Sequence, residues 1–570
     1  MDKRQVARIF EEIGTLLEIQ GESPFKSRAY STAARTLEGL EEDLDALVRN
    51  GRLQELKGIG QALAEKITEL VTTGRLEYYE RLKGSLPGSL LEMLAIPTLG
   101  PKKIKAIYEG LGIKTVGELE YACHENRLVD LPGFGPKTQE KILQGIALFK
   151  RHRDRFLYSE AIPIAREILE ALRRTPSVLR AEIAGSLRRR KETVKDIDLL
   201  VCSEDPGPVM AGFTHLSQVE QVVEAGSTRS RVRLVNGIGA DLRVVRDEEF
   251  PFALHYFTGS QEHNIALRER ARRQGIKLNE YGLFRGEKRI ACRDEAEVFA
   301  ALGLGFIPPE LREDMGEIEA AEREELPQLI EEAEIRGVFH VHTRWSDGNA
   351  SVEVMARAAR DLGYQYLGIA DHSQVARYAR GLEPERLQAQ QAEIEEANRK
   401  LPEITLLKGA EVDILPDGSL DYSEEILQGF DFAIASVHSR FNMTEEEMTR
   451  RIVRALSHPC VTMLGHPTGR LLLGREGYPI DIDAVLEAAA RHGVVIELNA
   501  NPHRLDLDWR HLKKAAALGV KISINPDAHS PEGLRDTAYG VGIARKGWLT
   551  REDVFNALPR EEMMKRLQWK

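Results

Sequence analysis

Cysteine is scarce in this chain: four in 570 residues, Cys123, Cys202, Cys292 and Cys460, far apart and with no CxxC pair. That spacing excludes a disulfide framework and a cysteine-based zinc site, and it suits a reducing cytosol. Long apolar runs are missing too. No stretch approaches the roughly 18 apolar residues of a membrane span. The opening MDKRQVARIFEEIGTLLEIQ interrupts its apolar residues with charges, so it reads as an amphipathic helix without a signal-peptide core. A cytoplasmic protein is expected. Excess positive charge is also absent, since the net charge is −11. Residues 321–570 hold 31 Lys and Arg against 40 Asp and Glu, while residues 1–320 hold 48 against 50. The front half is thus near neutral, and local basic runs such as Arg188-Arg189-Arg190-Lys191 say more about partners than the total does.

What is present divides into three styles. Residues 1–85 and 86–155 read as helices with short polar breaks. Residues 156–310 mix short strand-like runs (AEIAGS, DIDLLVCS, RVRLV, ADLRVV) with helices, and Asn236-Gly237 marks a hairpin turn. The acidic stretch 311–336 reads as a helical linker. From 337 to 570 a strand-then-helix rhythm repeats seven times, through GVFHVHT, YLGIADH, ITLLKGAEVD, FAIASVH, VTMLGH, GVVIELN and KISINPDAH. Seven such units predict a parallel (β/α)7-type barrel.

Three loops at the front share one plan: LKGIGQALAEKI, IPTLGPKKIKAI and LPGFGPKTQEKI. Glycines at Gly58, Gly60, Gly133 and Gly135, and the single Gly100 of the middle copy, precede a helix that carries lysine. Glycine lets the backbone approach a phosphate, and a helix N-terminus offers N–H groups to it. This is a helix-hairpin-helix plan for gripping the DNA backbone without reading bases.

In AGSLRRRKETVKDIDLLV, Asp196 and Asp198 stand two apart on a strand, so their side chains share a face. Asp241 in the hairpin strand ADLRVV can add a third carboxylate. Three carboxylates suit two Mg²⁺ ions about 3.5–4 Å apart, the arrangement for in-line phosphoryl transfer.

The order Gly185-Ser186, Asp196-x-Asp198, Asp241 resembles the nucleotidyltransferase palm. HYFTGSQEHNIALRERA resembles its family X, DNA polymerase β-like version, with a thumb-like subdomain over 251–310 that contacts the nascent base pair. The resemblance implies catalytic, metal-holding roles for Asp196, Asp198 and Asp241, with Mg²⁺ or Mn²⁺. It assigns the incoming nucleotide to Gly185, Ser186, Arg189, Tyr256, Phe257, Gly259 and Asn264, and the template strand to Arg268. Lys195 stands where polymerase β has Gly. Lys66 matches the Schiff-base lysine of a 5′-deoxyribose-phosphate lyase, with Lys26 and Tyr30 also fitting, but Ala62 replaces an expected supporting lysine.

In the back half, ligand-type residues recur at the ends of the strand candidates: His340, His342, Asp347, His372, Glu411, His438, His466, Asp527 and His529. Six of the seven strands contribute, GVVIELN being the exception. The C-terminal end of a parallel barrel is where active sites form, and imidazole with carboxylate suits Zn²⁺, Mn²⁺ or Fe²⁺. This pattern resembles the polymerase and histidinol phosphatase (PHP) domain. The resemblance implies up to three metals: one with His340, His342, Glu411 and Asp527; one with Glu411, His438 and His466; one with Asp347, His372 and His529. It also implies phosphoester hydrolysis, with His340, His342 and Glu411 in catalytic roles. Asp413 receives no role, and His458, His492, His503 and His511 read as surface or core residues, although His503 and Arg504 follow the sixth strand and could touch phosphate.

A family X polymerase joined to a PHP domain implies a DNA repair enzyme that fills short gaps from dNTPs on gapped or nicked DNA. Its 3′→5′ exonuclease would trim ends, with 3′-phosphatase or abasic-site endonuclease activity as family extensions. Two alternatives remain at this point: a small-molecule phosphatase of the histidinol-phosphate type, or a front half that binds DNA without polymerising. The sequence names no protein partner, and a monomer is the default expectation.

Overall fold

The computed structural model describes residues 1–40, 42–129, 131–150 and 154–567. They group into two units, Met1–Phe149 and Lys150–Lys570. Among the described residues no helix is long and apolar enough to cross a membrane.

The first unit is helical. Its opening helix, Lys3–Ile19, starts in a capping box: the Asp2 carboxylate accepts from the Gln5 N–H at 2.8 Å, and the Gln5 side chain accepts from the Asp2 N–H at 3.2 Å. Val6, Phe10, Ile13 and Leu17 recur on one face and pack with Tyr30, Ala34 and Leu37 of the helix Pro24–Glu38. A second apolar cluster, including Ile96, Ile104, Ile107, Ile142 and Ile146, binds the later hairpins together.

The second unit begins with a five-stranded sheet. Its strands are β1 (Val178–Ile183), β2 (Asp196–Ser203), β3 (Val219–Ala225), β4 (Arg229–Leu234) and β5 (Gly239–Val245), in the order β1-β2-β5-β4-β3. All neighbours are antiparallel except β2 and β5, which run parallel with Asp198 opposite Asp241. The β4–β5 hairpin turns at Asn236-Gly237, as its sequence predicts. Edge strand β3 escapes sequence reading because Val222 and Val223 are both exposed, which destroys the alternation. Helices Phe250–Thr258 and Gln261–Arg273 lead to a small meander, β6 (Lys277–Asn279), β7 (Gly282–Arg285) and β8 (Lys288–Ile290).

The stretch 311–336 is not the continuous helix that its acidity suggests. It forms a six-residue helix, Glu317–Glu322, and a single turn, Glu332–Glu334. Arg312 and Glu317 are fully buried, and Ile330 joins the barrel's core. Partners account for this: Arg312 pairs with Glu295 at 2.5 Å, and Glu317 accepts from His263 at 2.7 Å.

Seven parallel strands follow in chain order: β9 (Gly337–Val338), β10 (Tyr366–Ile369), β11 (Thr405–Asp413), β12 (Phe432–Ser436), β13 (Met463–Leu464), β14 (Val495–Asn499) and β15 (Ile522–Asn525). A parallel bridge between Val341 and Ala528 joins the two ends of the sheet. The strands are almost wholly buried because helices cover the outer face and side chains fill the inside.

Candidate metal centres and DNA-gripping loops

The glycine loops end where helices Gln61–Thr73, Pro101–Leu111 and Pro136–Lys150 begin. Gly60 and Gly100 stand at the caps of the first two, neither of which has a side-chain cap. A Cβ added at Gly60, Gly100 or Gly135 would meet nothing within 4 Å, so a phosphate has room to approach. Gly58 and Gly133 take positive φ (85° and 83°), and the middle copy puts Thr98 in that conformation at 82°. Lys66 projects from the first of these helices, partly exposed. Its amine lies 5.2 Å from the Tyr78 ring centre and donates to the Ala62 carbonyl at 3.3 Å. Tyr30 stacks on Tyr78, and Lys26 pairs with Glu22 at 3.3 Å.

On the five-stranded sheet, Asp196, Asp198 and Asp241 gather at one end of the β2–β5 pair. Burial first, then the Asp196 and Asp241 charges, push the Asp198 carboxyl up to about 7; burial and Asp241 also raise Asp196. Carboxyls that are buried and repel one another in this way favour a cation between them. Arg231, which the sequence reading passed over, answers part of it. Its guanidinium donates to Asp241 at 2.8 and 2.9 Å and lies 3.7 Å from Asp196. The hairpin turn could have revealed this, because counting back from Asn236-Gly237 sets Arg231 opposite Asp241.

Gly185 sits against Asp198 at φ 61°, where a Cβ would fall 1.9 Å from a carboxylate oxygen. Ser186 and Arg189 follow in the same turn. Tyr256 and Phe257 meet edge to face at 5.2 Å, with Arg243 4.4 Å over Phe257. Gly259 lies beside Arg189, whose Nη1 would be 3.2 Å from an added Cβ. Asn264 is nearly buried and donates to the Tyr256 carbonyl at 2.8 Å; Arg268 is exposed and donates to the Asn264 carbonyl at 3.2 Å.

In the barrel, all nine candidate ligands converge. Their donor atoms fall in four overlapping groups, each within 4.8 Å: His342, Asp347, His372 and His529; His340, His466 and Asp527; His340, His342 and Glu411; and His372, Glu411 and His438. Glu411 is the hub. His466 Nε2 lies 2.8 Å from it, His438 Nε2 3.1 Å and His340 Nε2 3.4 Å. The groups overlap: His372 also shares one with Glu411 and His438, and His466 one with His340 and Asp527. Burial works to raise Glu411, but His438, His372 and His340 outweigh it and hold the carboxyl well below the carboxylate range. Two ligand positions carry backbone strain, His466 at φ 24° and Asp527 at φ 52°.

The donor set fits divalent cations. His340 Nε2, His342 Nε2, Asp347 Oδ2 and Glu411 Oε2 are buried without a hydrogen bond of good geometry. Buried polar atoms left in this state demand another partner.

Residues outside the ligand set orient it. The strand without ligands, β14, supplies Glu497, which accepts from His340 Nδ1 and from the His466 N–H, both at 2.7 Å, and from Asn525 at 3.1 Å. Asn499 of the same strand donates to Asp527 at 3.0 Å. Asp413, to which the sequence assigned no role, lies 3.3 Å from His438 Nδ1. Asp371 accepts from Thr343, Ser346 and Gln390 and so stiffens the loop between His342 and Asp347.

Comparison with known proteins places the chain in a family. Residues 253–313 match the DNA polymerase beta thumb, and residues 339–501 match the PHP domain. Residues 1–76 match a helix-hairpin-helix domain, and 90–147 a SAM-like helix-hairpin-helix tandem. The DNA polymerase/3′-5′ exonuclease PolX of Bacillus subtilis is 40% identical over 561 residues, 98% of either chain. DNA polymerase lambda of Rattus norvegicus is 25% identical over 53% of this chain and 55% of its own. A probable phosphatase of Thermoanaerobacter is 33% identical over 28% of this chain and 66% of its own. With one such relative aligned end to end, the chain belongs to the PolX family, the family X DNA polymerases that carry a PHP domain.

Proposed function

We propose that this enzyme fills short DNA gaps by template-directed nucleotide addition at the Asp196, Asp198 and Asp241 centre and shortens DNA 3′ ends at the barrel centre. The observation that supports it best is the coexistence of two donor-rich centres on one chain that matches PolX along its whole length.

Divalent ions, Mg²⁺ or Mn²⁺ at the sheet and Mn²⁺, Zn²⁺ or Fe²⁺ at the barrel, would supply charge neutralisation and water activation. Asp196, Asp198 and Asp241 would hold the ions at the first centre, with Asp241 nearest the primer 3′-OH. Ser186 and Arg189 hold the triphosphate in this reading, and Tyr256 and Phe257 line the sugar pocket. At the barrel, the nine ligands would hold the ions, while Glu497 and Asp413 would orient the His340 and His438 imidazoles so that Nε2 faces inward. The domain limits that accompany this reading are 1–85, 86–155, 156–250, 251–310 and 337–570.

The test uses one gapped DNA with a labelled primer 3′ end, Mn²⁺, and dNTPs present or absent. Asp196→Ala/Asp198→Ala should lose extension alone, and His340→Ala/His342→Ala shortening alone. Shortening that survives loss of the histidines would remove the nuclease from the barrel. The barrel's likeness to probable phosphatases favours a second reading, a small-molecule phosphatase. Faster turnover of histidinol phosphate than of 3′-labelled DNA would establish it.

A further inference from the structure

The basic run Arg188–Lys191, which the triphosphate reading claims, is also where the five-stranded sheet meets the barrel. Arg190 lies over Tyr158 at 5.5 Å and fills the space above Gly542, where a Cβ would come within 3.3 Å of it. Lys191 pairs with Glu313 at 3.2 Å and lies 5.5 Å from the Trp509 ring centre. Arg470, four residues after the ligand His466, approaches Glu192 at 3.6 Å.

Arg189 is gripped at both ends. Its Nε donates to Glu313 Oε1 at 3.0 Å, and its Nη1 donates to the Thr258 carbonyl. The same Glu313 oxygen accepts from Lys546 Nζ at 2.5 Å. Lys546 ends the barrel helix Thr537–Lys546, is fully buried, and also donates to the Arg189 carbonyl at 3.1 Å and the Glu310 carbonyl at 3.3 Å. One ammonium from the barrel thus fixes the Arg189 backbone directly and its guanidinium through Glu313. Those bonds use Nε and Nη1 and leave the Nη2 edge for a phosphate oxygen. Burying an ammonium is costly, and an apolar pair usually holds an interface as well or better. A charged bridge that ends on Arg189 therefore points to geometry rather than adhesion.

We propose that Lys546 and Glu313 are positioning residues for nucleotide addition, so that the barrel half of the chain completes the triphosphate site of the other half. This rests on the polymerase reading above. Arg545 is the internal control, because it belongs to the same helix and the same interface. It pairs with Glu310 at 2.9 Å and Glu331 at 2.7 Å, away from Arg189.

Steady-state extension of gapped DNA with Mg²⁺ and varied dNTP decides the matter in the full-length enzyme. Lys546→Met and Glu313→Gln should each raise the dNTP KM about ten-fold with kcat within about two-fold, the size of one weakened charge-assisted contact. Arg545→Met should leave KM unchanged, and 3′ shortening should persist in all three. Should Lys546→Met not fold, Glu313→Gln, which keeps the side chain's shape, carries the same expectation. An unchanged KM in Glu313→Gln, or an equal rise in Arg545→Met, overturns the proposal. A wild type that extends no DNA would instead overturn the polymerase reading beneath it.

Discussion

His340 Nδ1 and Glu497 Oε1 meet at 2.7 Å inside the barrel, both fully buried. The bond fixes the proton on Nδ1 and leaves the Nε2 lone pair facing Glu411 and Asp527, where a metal ion would take it. Glu497→Gln replaces the carboxylate with a weaker partner that can also present the wrong edge. Removing such partners costs about 10–100-fold in metal affinity or activity. We expect 3′ shortening to fall by that range, with recovery at high Mn²⁺, while nucleotide addition is unchanged. Wild-type shortening by Glu497→Gln would show that His340 needs no such support.

The same residue shows where sequence reading stops. The barrel was legible because seven apolar runs alternate with amphipathic helices and because His340, His342, His372, His438 and His466 sit at strand ends. The convergence of nine ligands followed from those positions. Glu497 was not legible: it lies inside an apolar strand, and its partner His340 is 157 positions away. Arg231 was hidden for another reason, since surface hairpins often carry arginine. Of the run Arg188–Lys191 the resemblance assigns Arg189 to the nucleotide, and nothing local tells that a lysine at 546 and a glutamate at 313 come to meet it.

Gly185 makes the sharpest steric prediction. Its φ of 61° disfavours any side chain, and a Cβ would lie 1.9 Å from Asp198 Oδ2. Gly185→Ala must displace either the turn that carries Ser186 or the carboxylate itself. A misplacement of about 1 Å at a reacting centre costs on the order of 10²-fold. Nucleotide addition should drop by at least that factor, with 3′ shortening retained. Near-normal extension by the alanine variant would mean that the turn relaxes freely.

Thr98 offers a gain instead of a loss. It holds φ 82°, the conformation that Gly58 and Gly133 take in the sister loops, and its side chain is exposed. A β-branched residue there is strained. Relief of about 1–2 kcal/mol, less about 0.5–1 kcal/mol for glycine's extra backbone entropy, leaves a small net benefit for Thr98→Gly. The apparent Tm of the helical transition should rise by a few degrees, about what 1 kcal/mol yields in a unit of this size. A lower Tm would show that the threonine side chain makes a compensating contact.

The metal-free Asp triad predicts a pH dependence of stability. Burial, with the Asp196 and Asp241 charges behind it, raises Asp198 from an ordinary 3.8 to about 7. The folded protein then keeps a proton that the unfolded chain releases across that window. The sign follows: this group's contribution is greatest below its unfolded value and is lost as pH rises through about 7. In chelator, wild type should lose more stability between about pH 5 and pH 8 than Asp198→Asn, which stays neutral throughout. Mg²⁺ should reverse the loss most strongly at the alkaline end, where no proton competes for the carboxylate. Denaturant unfolding at several pH values reads both effects. Parallel curves for the two proteins would mean that Asp198 is ionised in the free enzyme and that Arg231, already 2.8 Å from Asp241, neutralises the cluster unaided.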